Sequence, residues 1–146
     1  MTFTVGYKAK FADEFTRFVP EQQLKIAEFI FRYQAVGLVD FNSYEGKIAP
    51  SWSGLEANDP NFAYTRDNSL WHYHIGLPTY KQVHPTYKTS DWLLHFQWPD
   101  KGPKIELVDL YQHHKADGTF YLPSPDYLTV ETPLFAQVSS SATTSL

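Results

Sequence analysis

Three strand-like segments follow one another in residues 70–120, LWHYHIGLPTYKQVHPTYKTSDWLLHFQWPDKGPKIELVDLYQHHKADGTF. The segments are residues 70–77, 91–98 and 105–113. A polar loop, residues 79–90, separates the first two, and the turn signal PDKG at residues 99–102 separates the second from the third. The pattern predicts an antiparallel sheet at the centre of the fold, with its second and third strands joined by a tight turn.

Alternation along the first two segments predicts two different faces for this sheet, because successive side chains of a strand point to opposite sides. One face is apolar and predicts the core: Trp71, Tyr73, Ile75 and Leu77 in the first strand, and Trp92, Leu94, Phe96 and Trp98 in the second. The other face carries His72, His74 and His95. All six histidines of the chain lie in residues 70–120, which makes this stretch the candidate for proton transfer or metal binding.

The segments before this stretch predict one strand and a long helix. Phe3, Val5 and Tyr7 alternate with polar or small residues, as in a short strand. Residues 11–18 predict one or two helical turns. Pro20 suits the first turn of a longer helix, and Gly37 suits its end. The apolar stripe of that helix is Leu24, Ile26, Ala27, Ile30, Phe31 and Tyr33.

Together these elements predict an α+β fold, in which an N-terminal strand and helices pack on a small antiparallel sheet. Residues 39–68 contain several glycines and prolines, so they predict either a long loop or short hidden elements. We expect a single domain over residues 1–138 and a flexible tail, SSSATTSL, over residues 139–146.

The composition excludes several classes of protein. At 146 residues, 42% hydrophobic and 17% aromatic, the chain has enough apolar material for one folded domain. The absence of cysteine excludes disulfides, a thiolate nucleophile and a cysteine zinc site. No apolar run approaches the ~20 residues that span a membrane, and the N-terminus lacks the apolar region of a signal peptide. We therefore expect a soluble, cytoplasmic protein without a membrane partner.

The distribution of charged residues indicates where the chain could bind nucleic acid. The net charge of −4 argues against a surface that is basic throughout. The histidine-bearing stretch is nevertheless locally rich in lysine: Lys81, Lys88, Lys101, Lys104 and Lys115. The sequence contains neither a glycine-rich phosphate loop nor a G-x-S-x-G nucleophile elbow, so it predicts no nucleotide cofactor and no serine hydrolase.

The residues of this stretch match the requirements of RNA cleavage without a metal. That reaction requires a base for the ribose 2′-OH, an acid for the leaving 5′-oxygen and a cation near the phosphate. His84 is the candidate base, His113 or His114 the candidate acid, and Lys81 the candidate cation. Phe120 can stack on an unpaired base. Because neighbours in a strand alternate, we expect only one of His113 and His114 to face the open side of the sheet.

The same residues carry a resemblance to a known family. The positions concerned are Tyr80, Lys81, His84, Asp91, Trp92, Leu93, Leu94, Leu107, Val108, His113 or His114, and Phe120. Their order resembles the YafQ branch of the RelE/ParE superfamily, the toxins of bacterial toxin–antitoxin pairs. The resemblance implies a RelE-like fold and a ribosome-dependent mRNA endonuclease without a cofactor, neutralised by a cognate antitoxin protein.

The resemblance also implies roles for individual residues. His84 would be the general base, Asp91 would orient or tune it, and His114 or His113 would be the general acid. We assign the RNA contacts to Lys81, Lys88, Tyr87 and Phe120.

Two alternatives remain open at the level of sequence. One is a non-catalytic member of the same superfamily that acts through protein contacts. The other is a small metal-dependent enzyme, because His72 and His74 project to the same face of a strand and can share a metal. Its third ligand would come from His84, Asp91 or His95.

Overall fold

The computed structural model describes residues 2–85 and 87–129 of the chain. Within them lie three helices, α1 (Ala9–Phe15), α2 (Pro20–Val36) and α3 (Pro60–Asp67). The strands are β1 (Thr4–Tyr7), β2 (Ile48–Pro50), β3 (Leu70–His74), β4 (Lys81–His84), β5 (Tyr87–Thr89), β6 (Trp92–Gln97) and β7 (Lys104–Gln112). The predicted α+β class is confirmed, and the predicted tail, residues 139–146, lies outside the described residues.

The predicted meander is confirmed as β3, β6 and β7, which pair antiparallel in chain order, although β3 ends at His74, three residues before its predicted end. The 3-10 turn Pro99–Lys101 joins β6 to β7, and Asp100 and Lys101 adopt positive φ there. The third strand ends at Gln112, one residue before its predicted end. Because the strand ends there, the alternation expected for His113 and His114 does not apply.

Two further strands extend the meander to a sheet of five, in the order β1-β7-β6-β3-β2. β2 pairs antiparallel with β3, whereas β1 lies parallel to β7 at the opposite edge. The sheet is therefore mixed, where the sequence predicted an antiparallel one. The parallel pair follows from the connection between β1 and the rest of the sheet, which runs through the helices α1 and α2.

The helix α2 covers one face of the sheet. It begins at Pro20 as predicted, and its backbone turns at Gly37, where φ is +63°. Ile26, Phe29 and Tyr33 are buried, and the Phe29 ring lies 5.0 Å from that of Tyr73 in β3. The predicted stripe is wrong at Leu24 and Phe31, whose exposures are 59% and 76%, and at Ala27, which is also exposed. Those three residues are on the solvent side, because the buried stripe runs through Phe29 instead.

Two stretches predicted as loops contain regular structure. Residues 39–68 include β2 and α3, so the alternative of short hidden elements is confirmed. Asp59 caps α3 by accepting a hydrogen bond from the backbone N–H of Asn61. Residues 79–90, predicted as a polar loop, instead form the β4–β5 hairpin. In residues 2–85 and 87–129 we find no helix with the length and apolarity that a membrane span requires.

Candidate functional site

The face of the sheet opposite α2 carries a row of titratable side chains. His72 in β3 pairs with His95 in β6, which pairs with Asp109 in β7. Paired residues point to the same face, so the three side chains form a row across the sheet. The rings of His72 and His95 are 6.0 Å apart, and those of His72 and His74 are 5.8 Å apart. The prediction that His72 and His74 share a face is confirmed.

Burial keeps these imidazoles neutral. Loss of hydration lowers the pKa of His74 to about 4 and that of His95 to about 3, and it also lowers the pKa of His72. Neighbouring imidazoles and Lys47 add to the effect on His72 and His74, because a second positive charge nearby disfavours protonation. At neutral pH the row therefore presents uncharged rings, each with one hydrogen-bond donor and one acceptor.

His95 and Asp109 are the most deeply buried members of the row. Both ring nitrogens of His95 lack a hydrogen-bond partner among the described residues. Asp109 accepts hydrogen bonds from the Tyr121 hydroxyl and from the backbone N–H of Leu110. Burial raises the pKa of Asp109 to about 7, although the hydrogen bond from Tyr121 opposes that change. The row therefore ends in a carboxyl group that is partly protonated at neutral pH.

A pocket of about 370 Å³ lies at the end of β7 and brings together three of the predicted site residues. Its lining is Pro78, Asp91, Trp92, Gln112, His113 and His114. The Nδ1 atoms of His113 and His114 lie 3.1 Å apart, within hydrogen-bond distance. Lys81 Nζ lies 3.2 Å from Asp91 Oδ1, so a cation is paired with one of the lining residues. We refer to this concavity as the His113–His114 pocket.

The two neighbouring histidines point to the same side. Their ring centroids are only 4.3 Å apart, contrary to the alternation expected from the sequence. The chain bends after Gln112 and forms a short turn in which the backbone N–H of Tyr121 donates to the carbonyl oxygen of His113. This return of the chain brings Phe120 onto His113, with ring centroids 4.9 Å apart.

A second pocket, of about 270 Å³, lies beside the first. Its polar and aromatic lining comprises Lys47, Ser51, Ser53, His72, His74, His113 and Phe120. His113 lines both pockets, so they meet at its ring. We refer to the second one as the Phe120 cleft.

The remaining predicted residues lie on the β4–β5 hairpin. His84 stacks on Tyr87 with ring centroids 4.2 Å apart, and Lys47 Nζ lies 4.8 Å from the centre of the Tyr87 ring. Lys88 forms an ion pair with Glu45, at 2.9 Å. Among the described residues that line the two pockets, none comes from this hairpin, so the structure does not bring His84 together with Asp91 there.

His72 and His74, the candidate metal ligands, both make contacts within the protein. His72 Nδ1 lies 2.9 Å from Ser51 Oγ, and His74 Nδ1 lies 3.0 Å from both the backbone nitrogen and the backbone oxygen of Ser90. Across residues 2–85 and 87–129, no three histidine or acidic side chains are arranged to hold a metal ion. The two histidines instead use Nδ1 for contacts within the protein.

Sequence reasoning did not find four residues of this region: Lys47, Ser51, Asp109 and Tyr121. Asp109 could have been found from the sequence, because an acidic residue within the apolar run of β7 is unusual unless it has a partner. Nothing in the sequence pattern indicates Lys47 or Ser51, since they reach the site only through the pairing of β2 with β3. Comparison with protein-family models, curated proteins and solved structures gives no match for this chain.

Proposed function

We propose that this protein is an endoribonuclease that cleaves RNA by metal-independent transesterification. The observation that carries the proposal is the His113–His114 pocket, which is lined by two imidazoles and the Asp91 carboxylate, with the Lys81 ammonium group paired to Asp91 beside it. Those are the groups that the reaction requires: a base, an acid and a positive charge for the phosphate. Phe120, in contact with His113, supplies the aromatic surface for a base.

In the proposed reaction, the ribose 2′-oxygen attacks the adjacent phosphorus, and the bond from phosphorus to the 5′-oxygen breaks. His113 is the base that takes the proton of the 2′-OH. Burial and the nearby His114 lower the pKa of His113, so it is neutral and able to accept a proton at pH 7. His114 gives a proton to the departing 5′-oxygen. The products are a 2′,3′-cyclic phosphate and a 5′-hydroxyl.

Two charged residues complete the proposed centre. The Asp91 carboxylate raises the pKa of His113, opposing the other effects, and so favours the protonated form after the proton transfer. Lys81 neutralises phosphate charge, and its 55% exposure leaves its ammonium group accessible to a substrate. We assign the base role to His113 rather than to His84, because His113 lines the pocket beside Asp91.

The biological setting of the proposal comes from the resemblance to the RelE/ParE toxins. On that basis the substrate is mRNA on the ribosome, the protein acts in the cytoplasm, and a cognate antitoxin neutralises it.

The test is induced expression in bacteria, with growth, mRNA integrity and the chemistry of the new RNA ends followed together. We expect growth arrest and fragments that begin with a 5′-hydroxyl. His113→Ala and His114→Ala should each reduce cleavage about 100-fold or more, the usual effect of losing an acid or base. Lys81→Gln should reduce it about 100-fold, while the matched variant Lys101→Gln, at the far turn of the sheet, should leave it unchanged.

Other outcomes separate the alternatives. Loss of cleavage in His84→Ala, with activity retained in His113→Ala, would return the base role to His84. Intact mRNA in cells that contain the folded wild-type protein would overturn the nuclease proposal and favour the non-catalytic interaction module.

A further inference from the structure

The Phe120 cleft differs in chemistry from the His113–His114 pocket beside it. Its floor consists of His72 and His74, which are 9% and 5% exposed. One wall is the Phe120 ring, whose centroid lies 5.9 Å from that of His72 and 4.9 Å from that of His113. A cleft with one aromatic wall and a floor of neutral hydrogen-bonding rings suits a flat, uncharged, polar group.

The hydrogen bonds within the cleft leave one edge of each floor ring for a ligand. His72 directs Nδ1 to Ser51 Oγ, and His74 directs Nδ1 to the backbone of Ser90. These contacts hold both rings in place, and Nε2 is the nitrogen of each ring that can face a ligand. Two fixed nitrogens on one floor can recognise the hydrogen-bonding edge of a heterocycle.

The size of the cleft limits the ligand to a single ring system. Its volume of about 270 Å³ lies just below the ~300–1,000 Å³ of pockets for drug-sized ligands. Lys47 also lines the cleft, so its ammonium group favours a ligand that is attached to an anionic group.

We infer that the Phe120 cleft binds one nucleobase of the RNA, the base adjacent to the phosphodiester at the His113–His114 pocket. The base contacts the Phe120 ring, its polar edge meets Nε2 of His72 and His74, and the Lys47 ammonium group lies near the neighbouring phosphate. Since His113 lines both pockets, a base held in one places its own ribose at the other. The identity of the ligand as RNA rests on the proposed function.

This arrangement makes the cleft a determinant of cleavage specificity. A neutral imidazole nitrogen is a donor or an acceptor according to its tautomer. The Ser51 hydroxyl and the Ser90 backbone can each donate or accept at Nδ1, so they hold the two rings in place and leave Nε2 of each ring to pair with a base. Bases whose edge pairs with both nitrogens bind, and bases that leave a buried nitrogen unpaired are rejected.

The experiment measures binding without cleavage. The wild-type protein is titrated with dAMP, dGMP, dCMP and TMP, and with ribose 5-phosphate as the ligand that lacks a base. The NMR signals of the Phe120, His72 and His74 rings report on the cleft. We expect at least one nucleotide to shift these signals, with unequal affinities among the four, and ribose 5-phosphate to leave them unchanged.

Variants distinguish a stacking surface from a structural aromatic residue. Phe120→Leu should weaken nucleotide binding at least about fivefold, the lower range for loss of a stacked base. Phe120→Tyr keeps the ring and should bind within about twofold of the wild type. Phe41→Leu, a change of a half-exposed aromatic residue that contacts Trp71 and Trp98, is the matched control and should have no effect. Ser51→Ala should change the order of preference among the four nucleotides.

The outcomes separate this inference from the proposed function. Nucleotides that shift the cleft signals, in a protein that cleaves no RNA, would support the base site and contradict the nuclease. RNA cleavage by a protein whose cleft signals do not respond to any nucleotide would overturn the base site alone. An equal response to ribose 5-phosphate would also overturn it, because the cleft would then recognise phosphate.

Discussion

The Nδ1 atoms of His113 and His114 lie 3.1 Å apart, so the two rings can share a single proton. A hydrogen bond at that distance requires one Nδ1 to carry a proton and the other to accept it. Nε2 is the more distant nitrogen of each ring, and it is therefore the atom available to a substrate. The pair thus contains one ring poised to accept a proton and one poised to donate it.

This relationship predicts how the two histidines affect each other. His114→Ala should raise the pKa of His113, because the neighbouring ring that lowers this pKa is removed. Asp91→Asn should lower the pKa of His113, because the carboxylate favours the charged ring. NMR titration of the His113 ring in the three proteins measures both changes. Opposite or absent shifts would show that the pair is not coupled in solution.

The unpartnered His95 predicts a stabilising substitution. Its folded pKa of about 3 lies below the ordinary 6.5, so the unfolded chain takes up a proton first as the pH falls. The contribution of the neutral His95 ring to the free energy of unfolding is therefore complete above pH 6.5, and it is lost as the pH falls towards 3. His95→Leu removes both this loss and the two unpaired nitrogens.

For His95→Leu we expect a gain of about 1–3 kcal/mol in the free energy of unfolding at pH 7. The gain should be about 2 kcal/mol larger at pH 5. Urea unfolding at the two pH values measures it. The control Gln34→Leu, at an exposed position of α2, should change the unfolding free energy by less than about 0.5 kcal/mol. A destabilised His95→Leu protein would mean that the ring nitrogens of His95 have partners in solution.

Asp109 predicts a pH dependence of the opposite sign. Its folded pKa of about 7 lies above the ordinary 3.8, so the folded chain retains the proton longer than the unfolded chain. The corresponding stability is complete below pH 3.8 and is lost as the pH rises through 7, by up to about 4 kcal/mol. Asp109→Asn cannot ionise, and its amide oxygen can still accept from Tyr121.

We therefore expect Asp109→Asn to be more stable than the wild type at pH 8, and the advantage to disappear near pH 4. Thermal unfolding across this range measures the difference. Parallel stability curves for the two proteins would contradict the raised pKa of Asp109.

Gly46 predicts a steric effect on the pairing of β2 with β3. A Cβ atom at this position would lie 1.8 Å from the carbonyl oxygen of His74 and 2.8 Å from the Tyr80 ring. Because the closer atom belongs to the backbone, rotation of a side chain cannot relieve the clash. Gly46→Ala should lower the free energy of unfolding by about 3 kcal/mol and displace Lys47 from the Phe120 cleft.

Gly54→Ala is the matched control, measured in the same chemical unfolding experiment. Gly54 has φ of +83° and no atom within 4 Å of an added Cβ. Its substitution should cost only about 1 kcal/mol, from the left-handed backbone. If the two variants lose similar amounts of unfolding free energy, the backbone around β2 can shift at little cost and the contact between Gly46 and His74 is not tight.

The central sheet was predictable because its signals are local. Alternation in residues 70–77 and 91–98 identified the core face, and Trp71, Leu94 and Phe96 are buried as predicted. The turn between β6 and β7 followed from a proline, an aspartate and a glycine close together in the sequence. Pro20 and Gly37 likewise marked both ends of α2.

Only part of the site could be predicted from local sequence patterns. Asp91, His113 and His114 meet at one pocket, whereas His84 lies on a hairpin where the sequence pattern indicated a loop. Alternation also separated His113 from His114, because it presumed that the strand continues past Gln112. A strand end is determined by which neighbour remains available for pairing, and local periodicity does not contain that information.

The sequence by itself determined the α+β class, the apolar face of the meander and the concentration of histidines on the opposite face. Only the tertiary structure decided the parallel placement of β1, the contribution of Lys47 and Ser51, and the junction of two pockets at His113. The physical reason is the distance along the chain over which each interaction acts. Alternation and turn chemistry act between residues a few positions apart, whereas β2 reaches β3 across about 20 residues, through packing that depends on the whole core.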